Sequence, residues 1–252
     1  FLWRKVIALL PTRRCVAPDL LGFGLSSRLP HLADHTVDGH ADAIAQVLEA
    51  LQLRSFVLVG QDWGGPIAAC VGARLPDRVR GLVLANTSVV VPERPKGTWF
   101  HRFARMRGIS EVAFIGLGMP QRVLWSVQGD RSSMRGATGS AYTWPLRRFR
   151  DRVGPLALAR MVPDTIAHPS VDPLRRGQAF VAGFSGPSAL VWGTKDPILG
   201  RALDRHRRLL PQAEVTLTQA GHFLQEEVPE ALAAAIDGVW RRAESARTTS
   251  GS

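Results

Sequence analysis

The stretch FVLVGQDWGG, Phe56 to Gly65, leaves few architectures open to this chain. Its apolar run shows no polar alternation, which is the pattern of a strand covered on both faces and hence of a parallel sheet. Residues Trp63 to Leu75 then read as a helix, stopped by Pro76. Between strand and helix stand Gly60, Gln61, Asp62, Trp63 and Gly64, an acid held on a tight turn by flanking glycines. A strand running directly into a helix through such a turn is half of a βαβ unit, and the chain repeats the alternation elsewhere.

Thr36 is a fitting N-cap for a helix to about Leu51, with Ala41, Ile44, Ala45 and Leu48 on one face. Gly81 to Ala85, Ser188 to Gly193 and Glu214 to Leu217 read as further strands, and 14–19 as a short one ended by Pro18. Helices are expected near Arg201 to Leu210 and from Pro229 to about Arg241. Between Pro92 and about Pro163 the text changes to arginines, scattered Trp and Phe, glycines and helical periodicity without strong strands. The expected organisation is an α/β core in two parts, 1–91 and 166–243, a helical cap inserted at 92–165, and a disordered tail at 244–252.

Charge and cysteine content remove several functions. The net charge of +11 comes almost wholly from arginine and is spread along the chain in pairs such as Arg13-Arg14 and Arg241-Arg242. A nucleic-acid surface would gather such charge on one element and interleave stacking aromatics, so no nucleic-acid partner is expected. No run of about 18 apolar residues is present, so no membrane partner is expected either. Cys15 and Cys70 lie in apolar settings and read as buried free thiols, which points to a reducing, cytoplasmic setting.

Three segments carry chemistry, each at the carboxyl end of an expected strand, where open α/β sheets build their sites. They are Gly60 to Gly64, Trp192 to Pro197 and Ala220 to Phe223. The first has the Gly-x-Asp-x-Gly form of a nucleophile elbow, with aspartate in the place of serine. Singly, Asp196 is a turn acid and His222 a loop histidine. Together, the order Asp62, Asp196, His222 is that of nucleophile, acid and base. An aspartate is already charged at neutral pH and can attack carbon without a base. His222 is then free to activate a water, and Asp196 to orient the imidazole.

On these residues the chain resembles the α/β-hydrolase superfamily and, within it, the haloalkane dehalogenases. The matching stretches are CVAPDLLGFGLSS, VLVGQDWGG, LVWGTKDPILG and AGHFLQEEVPE. The resemblance implies an α/β-hydrolase fold with a helical cap, and cleavage of a carbon–halogen bond of a small halogenated hydrocarbon through an ester on Asp62. It implies no metal or organic cofactor. Trp63 would donate its indole N–H to the departing halide and its backbone N–H to an oxyanion. A second halide donor is expected among Trp99, Trp125 and Trp144. One branch of the family takes its acid after the preceding strand, where this chain has Asn86, Thr87 and then Glu93.

Epoxide hydrolases share the Asp-Trp elbow but use two cap tyrosines, and this chain has Tyr142 alone. In the family, FLWR is preceded by strands and a His-Gly-x-Pro loop that serves the oxyanion hole. Such a stretch would be roughly 30–50 residues. The reading expects a fragment of a longer product, or a fold that has lost part of its site.

Overall fold

Leu82 and Leu84 point to one side of their strand, Val83 and Ala85 to the other, and all four are fully buried. A strand with both faces covered sits inside a layered sandwich. The computed structural model, which describes residues 1–250 and the side chains of 1–246, shows that sandwich. Strands β1 (Phe56–Asp62), β2 (Val79–Thr87), β3 (Ser188–Gly193) and β4 (Glu214–Thr218) form one parallel sheet in chain order. In chain order the helices are α1 (Arg4–Ala8), α2 (Val37–Ala50), α3 (Gly64–Arg74), α4 (Trp99–Ala104), α5 (Ile109–Glu111), α6 (Gly136–Thr143), α7 (Val153–Met161), α8 (Val171–Gly183), α9 (Leu203–Leu209), α10 (Leu224–Glu227) and α11 (Pro229–Ser250).

One sheet face packs Leu58, Leu82, Leu84, Leu190 and Trp192 against residues of α2, α3 and α8, among them Ala41, Ile67, Val71 and Val181. The other packs Val83, Ala85, Ala189 and Val191 against Val6 of α1 and Leu232 and Val239 of α11. The Thr36 side chain accepts from the Gly39 N–H, capping α2 as its sequence predicts. Between β2 and α8 lie α4 to α7, a π-helical turn at Val112–Gly116 and several 3-10 turns, with their own small core of Ala104, Phe114, Leu156 and Ala159. No helix among the described residues is long and apolar enough to cross a membrane.

Three expectations are corrected. Residues 14–19 pair with no strand among the described residues, and Cys15 is exposed there while Cys70 is buried. The local sequence has strand propensity, but a strand exists only where a neighbour supplies its hydrogen bonds. The tail expected from 244 is helical as far as Ser250, and 251–252 lie outside the described residues. Arg13 reaches both Asp237 and Glu244, so an ion pair from a distant segment holds a turn that composition alone reads as frayed. Helix α8, packed on α3, is the element the sequence did not disclose.

His40 of α2 is 1% exposed, with its Nε2 3.3 Å from His35 Nδ1. Burial, and then the neighbouring His35, lower its pKa to about 4. The unfolded chain therefore binds a proton between pH 6.5 and 4 that the folded one refuses, and stability falls as pH falls through that window. At about 1.4 kcal/mol per pH unit the loss is about 3 kcal/mol. Urea midpoints at pH 7, 5.5 and 4.5 should decline accordingly, and His40→Gln should flatten the decline; an unchanged slope would remove His40 as its source.

Candidate active site

The elbow is built by close approach of two backbones. A Cβ on Gly60 would stand 2.5 Å from Gly65 Cα and 2.6 Å from Gly64 O, and one on Gly65 would stand 2.0 Å from Thr87 Oγ1. Gly64 has open space around it, so the second crowded position is one residue later than the Gly-x-Asp-x-Gly pattern suggests. The turn forces Asp62 to φ +47°, a left-handed conformation that Asp tolerates better than most residues. Thr87 Oγ1 donates to Asp62 O at 2.6 Å and fixes the strained unit. The side chain stands at the N-terminal end of α3, whose first N–H groups lack intrahelical acceptors and favour negative charge.

The structure brings the three sequence-selected residues together. His222 Nδ1 lies 3.0 Å from Asp196 Oδ2, and His222 Nε2 lies 4.0 Å from Asp62 Oδ1. The Asp196 side chain is wholly buried and its Oδ1 accepts from Ile198 N at 2.7 Å, whereas the Asp62 side chain is 44% exposed. The buried acid is thus fully committed and the turn acid is free to meet a reactant. Burial disfavours the His222 cation, but the Asp196 hydrogen bond and the charges of Asp62 and Asp196 outweigh it and raise the pKa. With its Nδ1 proton directed at Asp196, the neutral ring offers the Nε2 lone pair toward Asp62, where a water can donate its O–H to it.

Two residues that sequence reasoning did not assign hold this geometry. Asn86, fully buried at the end of β2, accepts from Gly193 N at 2.8 Å and donates to Gly221 O at 2.7 Å and His222 O at 3.2 Å. One amide therefore joins the ends of β2 and β3 to the histidine loop. Gln61 Nε2 lies 3.1 Å from His222 O and 3.4 Å from His222 Nε2. The signal for Asn86 was present in the sequence, a polar pair directly after five buried apolar residues at the carboxyl end of a strand. Glu93, the alternative acid, is exposed and hydrogen-bonds to none of these residues.

The cap tryptophans separate by exposure. Trp99 is 76% exposed and Trp144 56% exposed, with Arg147 over the Trp144 ring. Neither indole is shielded from water, so neither offers the dry N–H that a halide needs. Trp125 is half-buried beneath Arg135 and lines a cavity of 420 Å³ with Leu124, Met134 and Tyr142; Asp62, Trp63 and His222 do not line it. Trp63 is half-buried and packs on the core beneath the elbow.

Beside the histidine, Glu226 of α10 is buried and bonded by Arg4 and Lys5 of α1 and by Tyr142 of α6. Burial pushes its carboxyl up, and these donors more than offset that, leaving it below the usual range. Tyr142, whose hydroxyl donates to Glu226 at 2.6 Å, is thereby occupied. No group of three or more His, Cys, Asp or Glu able to hold a metal ion occurs among the described residues.

Residues 2–109 match the family model of the α/β hydrolase fold. The chain is 33% identical to haloalkane dehalogenase 2 of Mycobacterium tuberculosis, over 94% of this chain and 82% of that protein. It is 27% identical to a haloalkane dehalogenase of Psychrobacter cryohalolentis, over 92% and 77%. Among solved structures, a putative ancestral haloalkane dehalogenase superposes with a TM-score of 0.84 at 27% identity, covering 97% of this chain and 88% of that one. The haloalkane dehalogenase of Bradyrhizobium elkani superposes at 0.82, with 26% identity and coverages of 97% and 87%.

Proposed function

This chain belongs to the haloalkane dehalogenase family of α/β hydrolases, and from that premise we propose that it hydrolyses haloalkanes through an alkyl ester on Asp62. The observation that carries the reading is the His222 imidazole, bonded to a buried acid on one side and facing an exposed carboxylate on the other. An Asp62 oxygen attacks the halogen-bearing carbon, a C–O bond forms, and the C–X pair leaves as halide. Water then attacks the ester carbonyl, giving its proton to His222 Nε2, and the C–O bond to the alkoxide breaks as that proton passes on. The sum is haloalkane plus water to alcohol, halide and a proton.

Each environment suits its task. The positive φ lifts the Asp62 carboxylate out of the sheet, and the N-terminus of α3 favours the oxyanion of the second step. Trp63, next in the chain, presents an indole N–H with no acceptor function to compete, which suits a departing halide. Of the three cap tryptophans only Trp125 is shielded, but the cavity it lines excludes Asp62 and Trp63, so none of the three is assigned as a second donor.

An epoxide-opening reaction is disfavoured because the one tyrosine, Tyr142, is bound to Glu226. Incubation with short bromoalkanes should release bromide and acid in equal amounts, while styrene oxide should remain intact. Hydrolysis of the epoxide without bromide release would reverse the assignment.

A further inference from the structure

We propose that Glu227 is a positioning residue for the hydrolytic half of the reaction, locking a segment of the cap against the loop that carries His222; this rests on the dehalogenase reading above. Glu227 closes α10, and its carboxylate meets backbone amides from two separate stretches of chain. Its Oε1 accepts from Gly129 N and from Gly221 N, each at 3.0 Å, and its Oε2 accepts from Asp130 N at 2.8 Å. Bonds from N–H to an ionised oxygen are among the stronger ones a protein makes.

The two stretches lie side by side along their length. His222 N donates to Val127 O at 2.9 Å. Phe223 N donates to Gln128 Oε1 at 2.8 Å, and Gln128 Nε2 donates back to Phe223 O at 3.3 Å. They touch so closely that a Cβ on Gly221 would stand 2.3 Å from Gly129 N and 2.5 Å from Val127 O. The histidine backbone is therefore gripped from opposite sides. The core takes its carbonyl through Asn86 and Gln61, and the cap takes its N–H through Val127. Glu227 is the group that holds the cap stretch in place at residues 129 and 130.

This makes the cap part of the base rather than a cover over it. Attack by Asp62 does not use His222, whereas attack by water does, so loosening the grip should fall on the second step alone. Misplacing a catalytic group by about 1 Å can cost about 100-fold in rate.

The experiment uses the full chain and a short 1-bromoalkane in single-turnover rapid quench, following bromide for the first step and the protein-bound ester by intact mass for the second. Glu227→Ala should form the ester within about twofold of the parent rate and hydrolyse it at least about tenfold more slowly. Glu227→Gln keeps one acceptor oxygen for Gly129 and Gly221 but turns an NH₂ toward the Asp130 N–H, and should fall between. Gly221→Ala, with the carboxylate intact, should reproduce the defect by wedging the two stretches apart. Amide hydrogen exchange at 127–130 and 221–223 should quicken together in all three.

Equal losses in both steps, or unchanged ester hydrolysis in folded Glu227→Ala, would overturn the proposal. So would exchange that quickens in one stretch alone. Should Glu227→Ala not fold, the other two variants decide. If the parent chain releases no bromide, the dehalogenase reading fails, and the exchange data still report whether Glu227 joins the two stretches.

Discussion

Bromide release by Asp62→Ala should fall at least about a thousandfold below the parent chain, to the level of the buffer. Removing the residue that makes the covalent bond leaves only binding and charge stabilisation, and losses of about 10⁶ are on record for such nucleophiles. No neighbour can substitute. Asp196 is wholly buried and bonded to His222 and Ile198, and His222 reaches a water only as a base. Alanine at φ +47° costs about 1 kcal/mol more than a residue that tolerates the left-handed region, so a slightly lower melting temperature is expected beside the lost turnover. A folded Asp62→Ala variant that still released bromide at the parent rate would end the claim that this carboxylate attacks carbon.

The second large effect separates the two half-reactions. His222→Phe should release one equivalent of bromide per chain and stop, its mass increased by the alkyl group on Asp62. The first step needs only a charged oxygen and an exposed carbon. The second needs a proton acceptor beside the water, and a phenyl ring is none. Asp196 would lose its imidazole and keep the Ile198 N–H, leaving a buried carboxylate poorly compensated. His222→Gln, whose amide can still donate to Asp196, should show the same trapped ester with a smaller loss of stability. Intact-mass analysis decides: steady turnover in both variants, or no adduct in either, would remove the ester from the scheme.

Much of this architecture is legible in the sequence. Continuous apolar runs marked β1, β2 and β3 because buried strands need no polar face, and the elbow followed from glycines at fixed offsets. What escaped depended on partners distant in sequence. Residues 14–19 look like a strand, yet no strand among the described residues pairs with them. Residues 244–250 look frayed, yet Arg13 binds Glu244. Trp99 opens the short helix α4 and Trp144 a 3-10 turn, and no periodicity encodes how such short elements pack. Asn86 and Glu227 act through backbone atoms of other segments, and a sequence names side chains, not the amides they will meet.

The Glu226 carboxylate, enclosed with Arg4, Lys5 and Tyr142, has a thermodynamic corollary. Detaching α1 from α10 takes both cations away from a carboxylate that is itself wholly buried, at a cost of several kcal/mol. Fluctuations that free α1 or α10 alone are therefore suppressed, and the two open as one cooperative unit or remain shut.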